Sequence, residues 1–304
     1  MRKPLPFLMT AGILYATARL FRHQQSEVRA RQWARTHPRK ALVTGASSGI
    51  GAVFAQSLAR RGYDLILLAR REDRLRELAE ELGRKFGIRA EVLAADLSSA
   101  EDLERVAGWI AQVEDLDLLV NNAGFGVPGR FAEVDPRRNM EMIQVNLVAA
   151  VRLARAALPG MVQRGKGGII NVSSVAAFLP SAGNHTYGAT KGYLNFFTRS
   201  LRDELEGTGV RVQALCPGYT YSEFHDVLGT GRPQMPGFMW LPAEQVVAES
   251  LRGLEEDRLF VVPGAVYKLA VALASIPGMA PLIQIVERTL RGFQSRNPAS
   301  SGPD

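Results

Sequence analysis

A tyrosine and a lysine four positions apart are the residues whose types and spacing first suggest chemistry. Tyr187 and Lys191 lie in a stretch with helical periodicity, so their spacing places the phenol and the ammonium on one helix face. A nearby ammonium favours the phenolate and is expected to lower the pKa of the tyrosine from about 10 toward neutrality. Tyr187 is therefore a candidate general acid or base.

Two further polar residues precede this pair. Ser174 ends a β-branched segment thirteen residues before Tyr187, and its hydroxyl could donate a hydrogen bond to a carbonyl oxygen. Asn146 lies in an apolar helical stretch, where a lone amide is more often a satisfied core residue than a functional one. Each feature is weak by itself, and the specificity lies in their joint occurrence in this order.

A glycine-rich segment directly follows the first predicted strand. It reads Thr44-Gly45-Ala46-Ser47-Ser48-Gly49-Ile50-Gly51, and residues with helical spacing follow it. Gly45 permits a tight turn, Gly49 lets backbone N–H groups approach a pyrophosphate, and Gly51 allows close packing of helix on strand. Since the helix N-terminus faces the anion, the segment predicts a dinucleotide site. A glycine-rich turn without a ligand is the alternative interpretation.

Polar residues also follow the next three predicted strands. Arg70 and Arg71 come after the second strand, where an NAD site usually has a carboxylate for the ribose 2′-hydroxyl. A guanidinium fits a 2′-phosphate instead, so Arg70, supported by Arg71, favours NADP. The alternative is that both arginines are the solvated start of the next helix. Asp96 follows the third strand, and the sequence Asn-Asn-Ala-Gly of residues 121–124 ends the fourth.

Short β-branched segments alternate with amphipathic ones from Lys40 onward. The predicted strands are Ala41–Thr44, Asp64–Ala69, Arg89–Ala94, Leu116–Asn121, Gly168–Ser173, Arg211–Cys216 and Leu259–Val262, and the helical patterns between them include Arg71–Gly83, Ala100–Val113, Arg138–Val162, Thr186–Glu206 and Ala243–Glu256. This alternation predicts an α/β fold, a Rossmann-type doubly wound sheet of seven parallel strands with helices on both faces. We expect one catalytic domain over residues 40–265, with extensions at 1–39 and 266–304.

In this combination and order, the residues resemble the short-chain dehydrogenase/reductase family over about residues 40–265. The motifs that carry the resemblance are T-G-x-x-x-G-x-G, N-N-A-G, the helix asparagine, the strand-end serine, Y-x-x-x-K and a P-G pair at Pro217-Gly218. The resemblance implies that Tyr187 is the general acid/base and that Ser174, favoured over Ser173 by its spacing to the tyrosine, polarises the substrate oxygen. Lys191 would lower the tyrosine pKa and hold the nicotinamide ribose.

The resemblance implies further roles at the cofactor. Asn146 would hold a water that connects Lys191 to solvent, Asp96 would contact adenine, and Ser222, where a threonine is usual, would touch the nicotinamide amide. The implied contacts of NADP(H) are Gly45, Ser47, Ser48, Gly49, Ile50, Gly51, Arg70, Asp96, Asn122, Ala123, Gly124, Tyr187, Lys191, Pro217, Gly218 and Ser222.

The segment between Pro217 and Pro242 is rich in aromatic residues and methionine, and in this family it covers the substrate. Candidate substrate contacts are Ser174, Leu179, His185, Tyr219 and Phe224. These residues predict an apolar substrate cavity, although packing in the core is a near-even alternative for each of the apolar residues. A lone histidine is more often a polar wall of a pocket or a surface residue than a catalytic residue. Apolar residues Val266–Ile276 and Ile283–Leu290 predict two short helices interrupted at Pro277.

The composition of the chain excludes some kinds of site and binding partner. Cys216 is the only cysteine of 304 residues, which excludes an internal disulfide and a multi-cysteine metal site, and we expect no metal. The net charge of +7 would suit nucleic acid, yet residues 1–40 hold nine basic residues and one acid, while the remainder holds 28 basic and 29 acidic. Because the excess basicity belongs to a tail, we expect no nucleic-acid partner.

The basic tail contains an uncharged segment, Pro4–Ala18. It is consistent with a cleaved secretory signal, a marginal span of seventeen residues over Leu5–Phe21, a membrane-surface helix, or a helix packed on the body or on a second subunit. The surface helix is favoured because it needs less length than a span, and its arginines reach phosphate headgroups. We expect a cytoplasmic protein at the cytoplasmic face of a membrane.

The leading hypothesis is an NADPH-dependent carbonyl reductase, or an alcohol dehydrogenase in reverse. With extensions at both ends, the chain resembles the branch of the family that acts on lipophilic carbonyls, such as 3-oxoacyl or steroid-like ketones and the corresponding alcohols. The alternative is a catalytically weak dinucleotide-binding regulatory or membrane-docking scaffold, which would not need all of Ser174, Tyr187 and Lys191. The family resemblance also implies a homodimer or homotetramer.

Overall fold

The computed structural model describes residues 39–180, 182–223 and 235–276. Its strands are β1 (Arg39–Thr44), β2 (Tyr63–Ala69), β3 (Ala90–Ala94), β4 (Leu116–Asn121), β5 (Gly167–Val172), β6 (Val210–Leu215), β7 (Thr220–Tyr221), β8 (Leu241–Pro242) and β9 (Phe260–Val261). Within these residues, seven strands form one parallel sheet in the order β3-β2-β1-β4-β5-β6-β9. The predicted doubly wound fold is confirmed.

Helices cover both faces of this sheet. They are α1 (Gly49–Arg60), α2 (Glu72–Phe86), α3 (Ala100–Ile110), α4 (Pro136–Ile143), α5 (Ala150–Arg164), α6 (His185–Glu204), α7 (Ala243–Glu255) and α8 (Ala265–Ala274). Apolar residues of α1, α2 and α7 form one core cluster, and those of α3, α5 and α6 form the other. Because both faces are covered, strands such as β2 bury a continuous apolar run, here Leu65 to Ala69.

The long helix predicted over Arg138–Val162 is interrupted. A π-helical segment, Gln144–Ala149, lies between α4 and α5, and Asn146 is inside it. The continuous stretch Pro136–Arg164 has 29 residues and a mean hydropathy of 1.4 in its most apolar window, which makes it the one helix of the described ranges long and apolar enough to cross a membrane. Packing of Leu153, Ala157 and Met161 in the core accounts for much of this apolar character.

Additional structure follows β6. The strands β7 and β8 pair with each other, away from the main sheet, and the aromatic ring of Trp240 packs against Tyr219 and Tyr221. Helix α8 matches the first helix predicted for the carboxy-terminal extension. The second predicted helix, Ile283–Leu290, and the whole amino-terminal tail up to residue 38 lie outside the described residues, and the domain boundaries remain a prediction.

Candidate active site

The glycine-rich segment forms a tight connection between β1 and α1. Gly45 and Gly49 adopt φ angles of +67° and +55°, which disfavour residues with a Cβ. A Cβ on Gly51 would lie 2.2 Å from the Gly45 carbonyl oxygen, so only glycine allows this approach of helix to strand. The resulting turn presents the first backbone N–H groups of α1 outward, which fits the pyrophosphate of an NAD(P) dinucleotide.

The end of β4 holds this turn in place. The backbone N–H groups of Asn122 and Ala123 both donate to the Thr44 hydroxyl at 2.9 Å, and the Asn122 side-chain amide donates to the Thr44 carbonyl at 2.9 Å. Asn122 thus has a visible structural role beyond the ribose contact implied for it. The Thr44 hydroxyl donates in turn to the Val120 carbonyl. These bonds connect β1 to β4 at the edge where the predicted site lies.

The two arginines after β2 have different surroundings. Arg70 is exposed, which leaves its guanidinium accessible to a phosphate. Arg71 donates to Ser47 Oγ at 3.0 Å and to Ser48 Oγ at 2.8 Å, so its guanidinium lies directly on the glycine-rich turn. Arg71, which the sequence suggested only as a supporting residue, is therefore placed at the cofactor loop at least as firmly as Arg70.

Asp96 follows β3 and is held in a turn. Its carboxylate accepts from Ser98 N at 2.9 Å and from Ser98 Oγ at 2.7 Å. Its own backbone N–H donates to the Asp102 carboxylate of α3 at 2.8 Å. This network fixes the loop on the same sheet edge as the glycine-rich turn, and the implied adenine contact stays a prediction.

Asn146 is buried, at 1% exposure, within the π-helical segment. Its Oδ1 accepts from the backbone N–H of Phe125 at 3.0 Å, and its Nδ2 donates to the Phe125 carbonyl at 2.9 Å. A Cβ on Gly124 would lie 2.9 Å from Asn146 Oδ1 and 3.4 Å from Lys191 Nζ, so the amide and the ammonium flank one glycine. In this arrangement the Asn146 side chain fastens the loop after β4, and a water-holding role remains a prediction.

The two adjacent serines after β5 have separate functions in the structure. Ser173 is buried and donates from Oγ to the Lys191 carbonyl at 2.9 Å, which ties the strand end to α6. Ser174 is partly buried, and the interaction of its hydroxyl with Tyr187 lowers the pKa of that tyrosine. Its Oγ also accepts from Ala176 N at 3.1 Å, which caps a short 3₁₀ turn. The geometry therefore favours Ser174 over Ser173 as the hydroxyl beside the tyrosine.

Tyr187 and Lys191 lie on one face of α6, as their spacing predicts. Lys191 Nζ is 5.6 Å from the centre of the tyrosine ring and donates to the Val172 carbonyl at 2.8 Å. Burial raises the pKa of Tyr187 to about 12, and the hydrogen bond with Ser174 acts in the opposite direction. The expectation that Lys191 brings this pKa toward neutrality is therefore wrong for this structure, because removal of the phenolate from water dominates.

The lysine is itself shifted by its surroundings. Burial lowers the pKa of Lys191 to about 8, and the nearby Cys216 acts in the opposite direction. The pair consequently contains a neutral phenol that can donate a proton near neutral pH, next to an ammonium that deprotonates more easily than usual. The phenol therefore carries a transferable proton, and its raised pKa makes it a weaker acid than a tyrosine in water.

Residues 217–223, which follow β6, form a wall that packs against α8. The ring of Tyr267, from α8, covers Gly218 so closely that a Cβ there would lie 2.1 Å from the ring. Tyr267 Oη accepts from the Tyr219 N–H at 3.0 Å and donates to the Met239 carbonyl at 2.6 Å. Sequence reasoning did not identify Tyr267, since no local pattern connects it to a glycine 49 positions earlier.

Ser222 reaches the glycine-rich turn from this wall. A Cβ on Gly49 would lie 3.1 Å from Ser222 Cβ, so the predicted nicotinamide residue and the predicted pyrophosphate loop are in proximity. Pro217 is buried, and its carbonyl accepts from Val175 N at 3.0 Å, directly after Ser174. The structure thus brings the β1, β5 and β6 ends together.

The predicted substrate contacts are only partly described. Leu179 and Tyr219 are partly buried, and Phe224 lies outside the described residues. His185 is engaged at the start of α6, where Nδ1 accepts from Thr186 N at 2.8 Å and Nε2 lies 3.2 Å from the Gly129 carbonyl. These contacts make His185 an anchor of the loop at Gly129. In the ranges that the structure describes, no three His, Cys, Asp or Glu residues are grouped as metal ligands.

Comparison with known proteins identifies the family. The family model "short chain dehydrogenase" matches residues 39–232, which is well over half of the chain. The chain belongs to the short-chain dehydrogenase/reductase family. Members of this family are NAD(P)-dependent oxidoreductases that act on CH–OH groups.

Three similar proteins illustrate the range within the family. The very-long-chain 3-oxoacyl-CoA reductase of Bos taurus is 34% identical over 183 residues, 59% of this chain and 58% of that protein. Sulfoacetaldehyde reductase 2 of Chromohalobacter salexigens is 39% identical over 60% of this chain and 73% of its own. A short-chain dehydrogenase from Sphingobium yanoikuyae, solved in complex with NADPH, has a TM-score of 0.71 and 32% identity over 88% of this chain and 99% of that one.

Proposed function

We propose that the protein is an NADPH-dependent carbonyl reductase, or the corresponding alcohol dehydrogenase in reverse, acting on a lipophilic ketone or secondary alcohol. The observation that carries this proposal is the arrangement of Ser174, Tyr187 and Lys191 beside a glycine-rich turn whose geometry fits a dinucleotide. The match covers only 58% of the bovine 3-oxoacyl-CoA reductase, so the activity of the whole chain is inferred from the site.

The residues divide the reaction between them. When bound, the nicotinamide supplies a hydride for the carbonyl carbon. Ser174 donates a hydrogen bond to the substrate oxygen, and Tyr187 transfers its phenolic proton to that oxygen as the C–H bond forms. The pKa of Tyr187, raised to about 12, keeps the phenol protonated before the reaction. Lys191, 5.6 Å from the ring centre, stabilises the phenolate that remains.

The preference for NADPH is supported by three arginines near the cofactor loop. Arg71 contacts Ser47 and Ser48 on the turn, Arg70 is exposed beside it, and Arg74 follows one turn later in α2. No carboxylate stands at the end of β2, where NAD sites usually have one. The NADPH-bound relative from Sphingobium yanoikuyae agrees with this preference.

A lipophilic substrate is supported by the aromatic wall after β6. The ring of Trp240 contacts both Tyr219 and Tyr221 there, and Tyr267 packs on Gly218. The name of the bovine relative favours a 3-oxoacyl chain, whereas sulfoacetaldehyde is small and polar, so a panel must include both extremes. Long-chain 3-oxoacyl thioesters, steroid ketones and short polar aldehydes should be assayed with NADPH and NADH by nicotinamide absorbance.

Tyr187→Phe tests the chemical step. Loss of the transferable proton should lower kcat by ~10²-fold or more while NADPH binding is retained. Tyr63→Phe is the matched control, because it removes one hydroxyl at the opposite end of β2, where Arg39 contacts it. Near-normal turnover in Tyr187→Phe would contradict the assignment. If the wild-type protein binds NADPH but turns over no compound of the panel, the regulatory or scaffold alternative is favoured instead.

We also propose a cytoplasmic protein that is held at a membrane surface by its basic amino-terminal tail and assembles as a homodimer or homotetramer. The assembly is supported by an exposed apolar concavity on the outer side of the π-helical segment, α5 and α6. Its lining residues are Leu147, Val148, Val151, Arg152, Arg155 and Tyr193. Light scattering of the full chain, compared with a Val148→Glu variant, tests whether this concavity lies between subunits.

A further inference from the structure

A carboxylate lies among the arginines that surround the cofactor loop. Glu223 directly follows Ser222 on the wall after β6, and its Oε2 accepts from Arg71 at 3.2 Å. Both of its oxygens also accept from Arg74 Nη1, at 2.9 and 3.0 Å. These contacts hold the pKa of the Glu223 carboxyl below its usual value against the effect of burial, so the group is ionised near neutral pH.

Arg71 is shared between two sets of acceptors. Its Nε and Nη2 face the Ser47 and Ser48 hydroxyls of the glycine-rich turn, and its Nη1 faces Glu223. A phosphate that takes two hydrogen bonds from this guanidinium must therefore approach a carboxylate that already accepts one. Two anions so close together repel each other, unless one of them moves away.

We propose that Glu223 competes with the 2′-phosphate of NADPH for Arg71 and so sets how strongly the protein prefers NADPH over NADH. The inference rests on the proposed NADPH preference and adds a specificity-determining residue to it. Because Glu223 also accepts from Arg74 of α2, displacement of Glu223 by a phosphate would loosen the link between the segment after β6 and α2.

The expected change in NADPH affinity is small because the side chains involved are partly exposed to solvent. The side chains of Arg71, Arg74 and Glu223 are 39%, 43% and 44% exposed, so water and salt screen their interactions. Removal of the Glu223 charge should therefore tighten NADPH binding by about two- to fivefold and leave NADH within about twofold. The gain should decrease at high ionic strength, because screening weakens both the repulsion and the ion pairs.

The experiment compares Glu223→Gln with wild type and with Glu255→Gln in the full chain. Glu255 forms an ion pair with Arg61 at the opposite end of α1 from the turn, so its variant changes the net charge equally at a remote position. Dissociation constants are measured by calorimetry for NADPH, NADH, 2′-AMP and 5′-AMP at low and high salt. We expect tighter NADPH and 2′-AMP binding in Glu223→Gln alone.

Each other outcome overturns the inference. Unchanged NADPH binding in Glu223→Gln would show that the carboxylate does not compete, and weaker binding would show that Glu223 instead positions Arg71 for the phosphate. If wild-type protein binds 2′-AMP no better than 5′-AMP, the proposed NADPH preference fails and the competition fails with it. This result differs from one in which wild-type protein prefers 2′-AMP and Glu223→Gln leaves that preference unchanged, since only the competition then fails.

Discussion

Lys191→Met should change how the stability of the protein depends on pH. Lys191 is 4% exposed, and burial lowers its pKa from 10.5 to about 8. The unfolded chain therefore holds this proton up to a higher pH than the folded chain does, and folding becomes more favourable as the pH rises from about 8 to 10.5. Below pH 8, the buried ammonium costs about 3 kcal/mol relative to a lysine in water.

Part of this cost disappears within an accessible pH range. Between pH 7 and 9, deprotonation of Lys191 in the folded state should add about 1 kcal/mol to the free energy of unfolding. Above pH 9 an opposite trend begins, because burial raises the pKa of Cys216 from 9.0 to about 12 and the unfolded chain loses the thiol proton first. The useful comparison therefore ends at pH 9.

Methionine has a similar length and no charge, so it removes the titration with little change in packing. It also removes the hydrogen bond to the Val172 carbonyl, which is a constant loss of about 1 kcal/mol at every pH. The difference in unfolding free energy between Lys191→Met and wild type should thus move by about 1 kcal/mol in favour of wild type from pH 7 to 9.

Urea unfolding at pH 7, 8 and 9, at one ionic strength, measures this difference. Lys268→Met is the control, since that side chain is 53% exposed and pairs with Glu249 at the surface. A difference for Lys191→Met that stays constant over this range would refute the reasoning that burial shifts the Lys191 titration.

Four other changes have defined outcomes. Arg70→Ala and Arg71→Ala should each weaken NADPH by roughly tenfold with little effect on NADH, as measured by calorimetry, and equal weakening of both cofactors would exclude a 2′-phosphate contact. Gly51→Ala should abolish dinucleotide binding and lower the unfolding free energy by more than ~1 kcal/mol, because its Cβ would overlap the Gly45 carbonyl, and normal binding would contradict this. A chain starting at Thr36 should no longer float with anionic vesicles yet retain turnover of a water-soluble ketone, and equal flotation with the full chain would exclude the tail as anchor.

The candidate catalytic residues could be selected from the sequence because each belongs to a local pattern. Tyr187 and Lys191 are separated by about one helical turn, so the sequence places them on one face. Their electrostatics were not predictable, since the shift of the Tyr187 pKa depends on burial among residues from several elements. The π-helical segment around Asn146 was also missed, because hydrophobic periodicity does not distinguish a π insertion from a continuous α-helix.

The candidate residues for cofactor specificity show the same division between sequence and fold. Arg70 and Arg71 are adjacent in sequence, and only the fold shows that Arg71 lies on Ser47 and Ser48. Glu223 is separated from Arg71 by 152 positions, and no spacing rule connects them. The sequence shows which residues are charged, but it does not show which charged residues form an ion pair.

The sequence by itself determined the alternation of strands and helices, the parallel sheet and the identity of the residues at its carboxyl edge. These properties follow from local periodicity and from glycines at positions of positive φ, which act over a few residues. The tertiary structure alone decided which of two serines meets Tyr187, that Tyr267 covers Gly218, and that Glu223 reaches Arg71. The physical reason is that packing brings together side chains that are far apart in the chain, and burial, hydrogen bonding and pKa shifts arise only from that proximity.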